Sequence, residues 1–503
     1  MNNSFKKIIS LGSLYSLGSI SQGALFVLLF PIYTSFLSPR DFGIIGLMSI
    51  TINLLTRFVS SPINSAFTRF YYAPEYEGKN GILLFNLFLL ALLIISCCAV
   101  IFWRISEYLA GVILQDRNLV HILKIYALIL FLQPFSSLFL CLLRMLEKAK
   151  YFVCTSISSL LLSAGLTLYL LMVLKKGVLA PIVGNLFGLI VTAIMILPVF
   201  IKKSTFRLSR SVLVPPLKYA YPLLLSEYSN LLIQSGDRYV LRIFNSISMV
   251  GLYSFGYQIA GILQTALVTP LKQALQPIIL KQEDNPEAIR HFLRLGATYF
   301  YLIGCAACLL ISLFSREILM LFARQQAFWA AWIVVPIITY SYVQHGVGNF
   351  VGWGMGLMKK SFHVSGIVLV AALVNIGLNF LLVPYWGMLG AAFATILSYI
   401  VWNFLKAYYS AKFYDLHFEV GRLLHITGVG FGLYGLSLLI VNNSALAINV
   451  ALKLLFFLAY PLILWTTGFF SGSEKEYLLK PVNGFKKIYR SVPYSKDTSE
   501  RQR

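Results

Sequence analysis

Apolar runs of about 20 residues follow one another along nearly the whole chain, separated by short polar stretches. A helix of that length crosses the ~30 Å hydrocarbon core of a bilayer. Inside that core every backbone N–H and C=O must be bonded within the protein, which leaves helices and closed barrels as the options. Barrel strands would read as short alternating segments, and the sequence has none. Composition excludes a water-soluble globule. Of 503 residues, 58% are hydrophobic and 12% charged, about half the charged share of a soluble domain. The fold class is therefore all-α integral membrane.

About fourteen transmembrane helices fit by length and polarity. They lie near residues 9–37, 42–67, 82–103, 120–142, 152–174, 178–201, 217–236, 249–270, 292–314, 328–351, 362–383, 387–409, 422–441 and 447–470. Lys6 and Lys7 precede the first run, and no small-residue cleavage pattern follows it, so it reads as a span. The loops on the side of the N-terminal arm, with the C-terminal tail, carry 29 Lys and Arg, against nine on the other side. Arg57, Lys124 and Lys453 are the cations within or at the edge of spans. The positive-inside rule then places both termini in the cytoplasm.

A net charge of +23 raises the question of nucleic acid. Most of the excess sits in loops and in the tail at 471–503, where Lys486, Lys487 and Arg490 lie close together. Topology explains the loops, and anionic lipid headgroups suit the tail, so no nucleic-acid partner is expected. Cys305 and Cys308 have redox or metal-ligand spacing, but no second pair or nearby His completes a metal site. They read as small packing residues. No cofactor is expected.

The two halves of the chain resemble each other. Phe36, Ser38, Gly43 and Pro62 recur 208 positions later as Phe244, Ser246, Gly251 and Pro270. Further on the offset is 210: Lys150 and Phe152 match Lys360 and Phe362, and Gly177 matches Gly387. Six spans per unit is an even number, so the repeat is parallel, about an axis along the membrane normal. The expected organisation is two pseudo-symmetric six-helix lobes, at 1–210 and 211–412, then two C-terminal helices at 413–470 and the basic tail. Transporters built this way place the substrate path between lobes and rock one against the other.

Ionisable residues inside spans are costly and usually face a cavity. In span 7, Glu227, Asn230, Gln234 and Arg238 share a helix face, with Asp237 and Arg242 at its edges. In span 2, Asn53, Arg57, Ser60 and Asn64 form a second stripe. Span 8 offers Gly261, Gln264, Thr265 and Lys272, and span 10 Gln344 and His345. Gly12, Ser16, Ser19 and Gly23 in span 1 suit close helix packing. One reading is a hydrated, cationic cavity that receives an anionic group, since Arg and Lys suit phosphate. The other is interhelical pairing, with Glu227 neutralising Arg57.

Phe30-Pro-Ile-Tyr-Thr-Ser-Phe-Leu-Ser-Pro-Arg-Asp-Phe-Gly43 resembles the first-loop signature of the polysaccharide transporter family, the Wzx-type flippases. Ser235-Gly-Asp-Arg-Tyr-Val-Leu-Arg-Ile-Phe244, with Val250-Gly-Leu-Tyr253, is similar to its span 7–8 signature. Gly387-Met-Leu-Gly-Ala-Ala-Phe-Ala-Thr395 is similar to the start of its span 12. The resemblance covers roughly residues 8–410 and implies the multidrug/oligosaccharidyl-lipid/polysaccharide exporter fold. It also implies a substrate, undecaprenyl-pyrophosphate-linked oligosaccharide for O-antigen, capsule or related polymers. Such a substrate is carried across the bacterial inner membrane, from its cytoplasmic to its periplasmic leaflet.

On that basis the expected substrate-binding residues are Arg57, Asn53, Ser60, Asn64, Gln234, Arg238, Arg242, Lys272 and His345. Glu227 and Asp237 are the expected ion-coupling carboxylates, for H+ or Na+. Membrane lipids and the polysaccharide polymerase machinery are the expected partners. A drug or small-molecule exporter of the same fold is the main alternative. A membrane enzyme of polysaccharide assembly fits less well, because the loops are short and carry no phosphate-binding glycine loop.

Overall fold

The computed structural model describes residues 29–272, 275, 279, 286–357, 361–413, 418–440, 446–472 and 474–475. The small-residue stripe of the first span lies outside these residues, as does the tail beyond 475. The described chain is helical and forms two compact units interleaved in sequence. One comprises Met1–Ile259, Arg316–Ile338 and Ser365–Val401; the other comprises Ala260–Ser315, Thr339–Val364 and Trp402–Arg503.

Among the described residues, nine helices are long and apolar enough to cross a membrane, or ten if the bent pair Gln326–Ile333 and Val335–Met355 is one span. Most of the first expected span lies outside the described residues, and some of the others take a different form. The seventh expected span is broken into α6 (Arg210–Ala220), α7 (Leu224–Ser235) and α8 (Asp237–Phe244). Pro215, Pro216 and Pro222 cannot donate backbone hydrogen bonds there, and Tyr221–Leu223 tightens to a 3-10 turn. Spans 11 and 12 join into one 53-residue helix, α12 (Ser361–Phe413), bent at Gly387. With φ of 52° and ψ of −126°, Gly387 adopts a conformation that a side chain would resist.

The Ser-Pro-Arg-Asp motif is a helix start. It opens α1 (Pro39–Phe70), where Ser38 Oγ accepts from the Asp41 N–H and the Asp41 carboxylate accepts from the Ser38 N–H at 2.9 Å. Pro39 takes the first helical position, where no N–H is needed. Its repeat partner Ser246 accepts from the Met249 N–H at 3.2 Å and opens α9 (Ile247–Leu263).

These two helices meet in the first unit with the symmetry that the repeat predicts. A Cβ on Gly43 would stand 2.0 Å from the Ile247 carbonyl oxygen, and one on Gly251 would stand 1.8 Å from that of Pro39. Gly46 faces Ser254 in the same way. All these pairs respect the 208-residue offset, so the helices run parallel in register about a local two-fold axis. Phe42 packs edge-on against Phe255 and Phe328 beside the crossing, and those two rings are tilted to each other, with ring centres 5.0–5.7 Å apart.

The second unit has its own core. It is formed by α10 (Pro286–Leu313), α11 (Val335–Val351), α13 (Val420–Ile440) and α14 (Leu446–Thr466). Phe300, Phe350, Ile426, Leu433, Tyr460 and Leu464 are buried there. Cys305 and Cys308 belong to the same apolar cluster.

Candidate functional site

In the first unit, the polar stripe of α1 divides by partner. Asn53 Oδ1 accepts from Gln133 at 3.2 Å, and Asn64 donates to Ser137 at 2.6 Å. Both bonds reach α3 (Val120–Met145) and tie the two helices together. Ser60 is buried. Arg57, between them in sequence, is exposed and forms no ion pair or hydrogen bond among the described residues. Glu227 is half-buried and likewise unpaired there. Neutralisation of Arg57 by Glu227 is therefore not observed. Both act electrostatically on Tyr228, whose hydroxyl donates to the Leu54 carbonyl at 2.6 Å.

Ten residues on from Glu227 the chemistry changes. Asp237 is fully buried. Its carboxylate accepts from Tyr253 Oη at 2.5 Å and from Thr395 Oγ1 at 3.4 Å, and lies 3.3 Å from Arg238 Nη1. Arg238 donates to the Gln234 carbonyl at 3.0 Å and to Ser254 Oγ at 3.3 Å, and lies 4.2 Å from the Tyr257 ring centre. Two of the three family-like segments thus supply one polar cluster: Asp237, Arg238 and Tyr253 from the second, Thr395 from the third.

Arg242 is spent on backbone. Its Nε donates to Ile113 O at 2.8 Å, Nη2 to Leu114 O at 3.3 Å and Nη1 to Asn245 O at 3.2 Å. The Ile113 and Leu114 carbonyls end the segment Ala110–Leu114, where helix-terminal carbonyls lack helical partners. The arrangement here is a tether.

In the second unit, His345 is buried and stacked on Trp402, ring centres 5.4 Å apart, with Nδ1 3.5 Å from Gln264 Oε1. Lys272 is exposed and acts electrostatically on His345 and on Lys406. Lys406 falls within the expected span 387–409 but does not stand out there as a site residue; it lies inside α12 with 6% of its surface exposed. Its Nζ donates to the Gly348 carbonyl at 2.9 Å and sits 3.5 Å from the Trp402 ring centre. The available signal was the i, i+4 spacing of Trp402 and Lys406, which stacks an aromatic and a cation on one helix face. A hydrogen-bonded chain through Asn403, Gln344, Tyr301 and Thr427 runs nearby.

A bundle of membrane-crossing helices with an internal parallel repeat and buried charges at span breaks defines a membrane transporter architecture. Comparison with solved structures agrees on the fold. A lipid II flippase MurJ in an inward closed conformation superposes with a TM-score of 0.75 at 14% identity, covering 90% of this chain and 99% of that one. An inward-facing multidrug resistance MATE family transporter of the MOP superfamily gives 0.66 at 15% identity, covering 78% and 94%. The particular family follows from sequence: residues 8–283 match the family described as polysaccharide biosynthesis protein, and the chain belongs to it. A curated relative, the probable low-salt glycan biosynthesis flippase Agl15 of Haloferax volcanii, is 22% identical over 308 residues. That match covers 58% of this chain and 60% of the relative.

Proposed function

We propose that the protein is a flippase for undecaprenyl-pyrophosphate-linked oligosaccharide, an O-antigen, capsule or related repeat unit. It moves the lipid-linked sugar from the cytoplasmic to the periplasmic leaflet of a bacterial inner membrane by alternating access. Both termini are on the cytoplasmic side, and a polysaccharide polymerase takes up the product. The observation that carries this reading is Arg57, an exposed cation in the middle of a 32-residue apolar helix with no ion pair among the described residues. An unpaired cation at such a depth is costly unless it lines a wet path or meets an anion. Phosphate, like a carboxylate, is an anion that a guanidinium binds through two parallel hydrogen bonds. Family membership and the glycan flippase among the relatives support the same substrate class.

Coupling to H+ or Na+ falls to two carboxylates. Glu227 is accessible and unpaired among the described residues, which suits direct exchange with water. Asp237, bound to Tyr253, Thr395 and Arg238, would exchange its ion only as that cluster opens.

The test is deletion of the gene, complemented by wild type and by Arg57→Ala. Loss of surface polymer, build-up of lipid-linked unit on the cytoplasmic leaflet and no rescue by Arg57→Ala are expected. Normal polymer and intermediates in the deletion strain would instead favour a drug or small-molecule exporter. The MATE-like fold and the Glu227 carboxylate, unpaired among the described residues, support that second reading.

A further inference from the structure

We propose that the groove between α2 (Asn80–Arg104) and α3 is a binding site for an anionic phospholipid of the bilayer. One acyl chain lies in the groove, and the headgroup phosphate meets Arg104 and Lys124. The inference goes beyond the transported substrate and does not depend on it.

Local sequence makes the groove. Ser96 and Ala99 on α2 and Ala127 on α3 are small and leave a hollow where the two helices pass, walled by Val100, Leu128 and Phe131. Its volume is about 280 Å³, just short of the ~300–1,000 Å³ that encloses a drug-sized ligand. It is open along its side, since Val100 is 60% exposed and Leu128 46%. From Ser96 to Arg104 a helix rises about 12 Å, most of the ~15 Å of hydrocarbon in one leaflet. A narrow, apolar, side-open channel of that length suits a hydrocarbon chain.

One end of the channel is different. Arg104 lines it as the last residue of α2, and Trp103 beside it has Lys124 Nζ 5.7 Å from its ring centre. Lys124 stands one turn before Ala127 and Leu128, so it shares their face of α3. Both cations are exposed, and neither forms an ion pair or hydrogen bond among the described residues. Nearby acids do not answer them. Glu107 forms no ion pair among the described residues, and Asp116 is held by Arg40 at 2.6 Å. The first turn of α3 has no acidic residue, although a helix start favours negative charge.

A tryptophan with cations around it is ordinary at a membrane interface. Interfacial anchoring does not explain why an apolar channel runs inward from them. Channel and charge together match one kind of bilayer molecule, an acyl chain with a phosphate at its end. The excess of cations selects a headgroup of net negative charge, because a zwitterionic one brings its own cation.

The test is tryptophan fluorescence of the purified full-length protein in vesicles of phosphatidylcholine and phosphatidylglycerol in equal amounts, with bromine on the acyl chains of one lipid or of the other. The signal of Trp103 is the difference between wild type and Trp103→Phe. Its quenching should show phosphatidylglycerol bound about fivefold or more tightly than phosphatidylcholine, the scale of one cation near an anionic headgroup. Arg104→Gln combined with Lys124→Gln should bring that ratio near one, and Arg104→Lys combined with Lys124→Arg should keep it. All four substitutions fall on exposed positions, so the variants should fold. Ala99→Leu fills the groove and should weaken quenching by either lipid, which contact with passing bilayer lipid would not show. Equal quenching by the two lipids in wild type overturns the inference. So does an undiminished ratio in the double glutamine variant, or unchanged quenching in Ala99→Leu. Weak quenching by both lipids in wild type would mean that another part of the chain or a second copy fills the groove, and it overturns the inference too.

Discussion

Arg242 holds the Ile113 carbonyl at 2.8 Å, and 208 residues earlier Thr34 holds the carbonyl of Phe322 at 2.9 Å. The two contacts are repeat images of each other, since Phe322 stands 208 residues after Leu114, which Arg242 also binds. Each half of the repeat thus reaches from the end of one span to the broken helix between two spans of the other half. Gln325 adds bonds to the carbonyls of Ser35 and Leu37 on one side only. Arg40 adds an ion pair with Asp116 at 2.6 Å on the other. A transporter that alternates must break such a seam once per cycle.

Arg242→Ala should loosen this seam. Charge-assisted hydrogen bonds contribute about 1.5–3 kcal/mol each to a pair of groups, so the joined conformer should lose roughly tenfold or more in population. Hydrogen exchange across 110–119 is the measurement, and protection there should fall by at least that factor. Unchanged protection would show that Thr34 and Gln325 hold the seam unaided.

Asp237 and Tyr253 make a second prediction. Both are fully buried, and their bond is 2.5 Å long. Tyr253→Phe removes a donor from a buried carboxylate and should destabilise by about 1–3 kcal/mol. Asp237→Ala should cost more, about 3–5 kcal/mol, because it removes the carboxylate that lies 3.3 Å from the buried Arg238 guanidinium. Thermal unfolding in detergent would rank the two, and equal losses would mean that Arg238 is satisfied by Ser254, Gln234 and Tyr257.

The third prediction concerns the start of the tail. Ser471 and Glu474 form a capping box, the carboxylate accepting from the Ser471 N–H at 2.7 Å and the hydroxyl from the Glu474 N–H at 3.3 Å. Arg422 and Tyr299 donate to the same carboxylate, at 3.1 and 2.5 Å. Burial alone would raise the Glu474 pKa; the hydrogen bonds from Tyr299, Ser471 and Arg422 outweigh it and bring the value down to about 2. A depressed carboxylate pKa stabilises fully above its unfolded value, near 4.5, and the contribution fades as pH falls from there toward about 2. Glu474→Gln should therefore cost about 1 kcal/mol at neutral pH, allowing for solvent screening. Its deficit should shrink steadily below pH 4.5, followed by proteolysis after residue 470. A deficit independent of pH would assign the effect to packing.

Much of this was legible in the sequence, and the exceptions are instructive. Apolar run length gave the class, and the 208-residue offset gave a parallel repeat that Gly43 and Gly251 display in three dimensions. The Ser-Pro-Arg-Asp segment was readable as a family mark, and it turns out to be a helix cap. Individual polar residues were harder. Periodicity put Asn53, Arg57, Ser60 and Asn64 on one face, but only packing could reveal that Asn53 and Asn64 bond to α3 while Arg57 does not. Lys406 was missed because a lone lysine near the end of an expected span does not stand out as a site residue. Its burial depends on two glycines more than fifty residues away in sequence.

Those glycine contacts give the last prediction. Gly43→Ala would drive a methyl into the Ile247 carbonyl at 2.0 Å, and Gly251→Ala would drive one into Pro39 at 1.8 Å. Neither obstacle is a flexible side chain, so α1 and α9 must move apart, and overpacking of this kind costs about 1–3 kcal/mol. Once one substitution has separated the helices, the second meets open space. The double variant should therefore lose less stability than the two single losses added together, by about 1 kcal/mol or more. Additive losses would mean that the glycines serve two separate contacts, and the local two-fold seen at this crossing would then carry no shared energy.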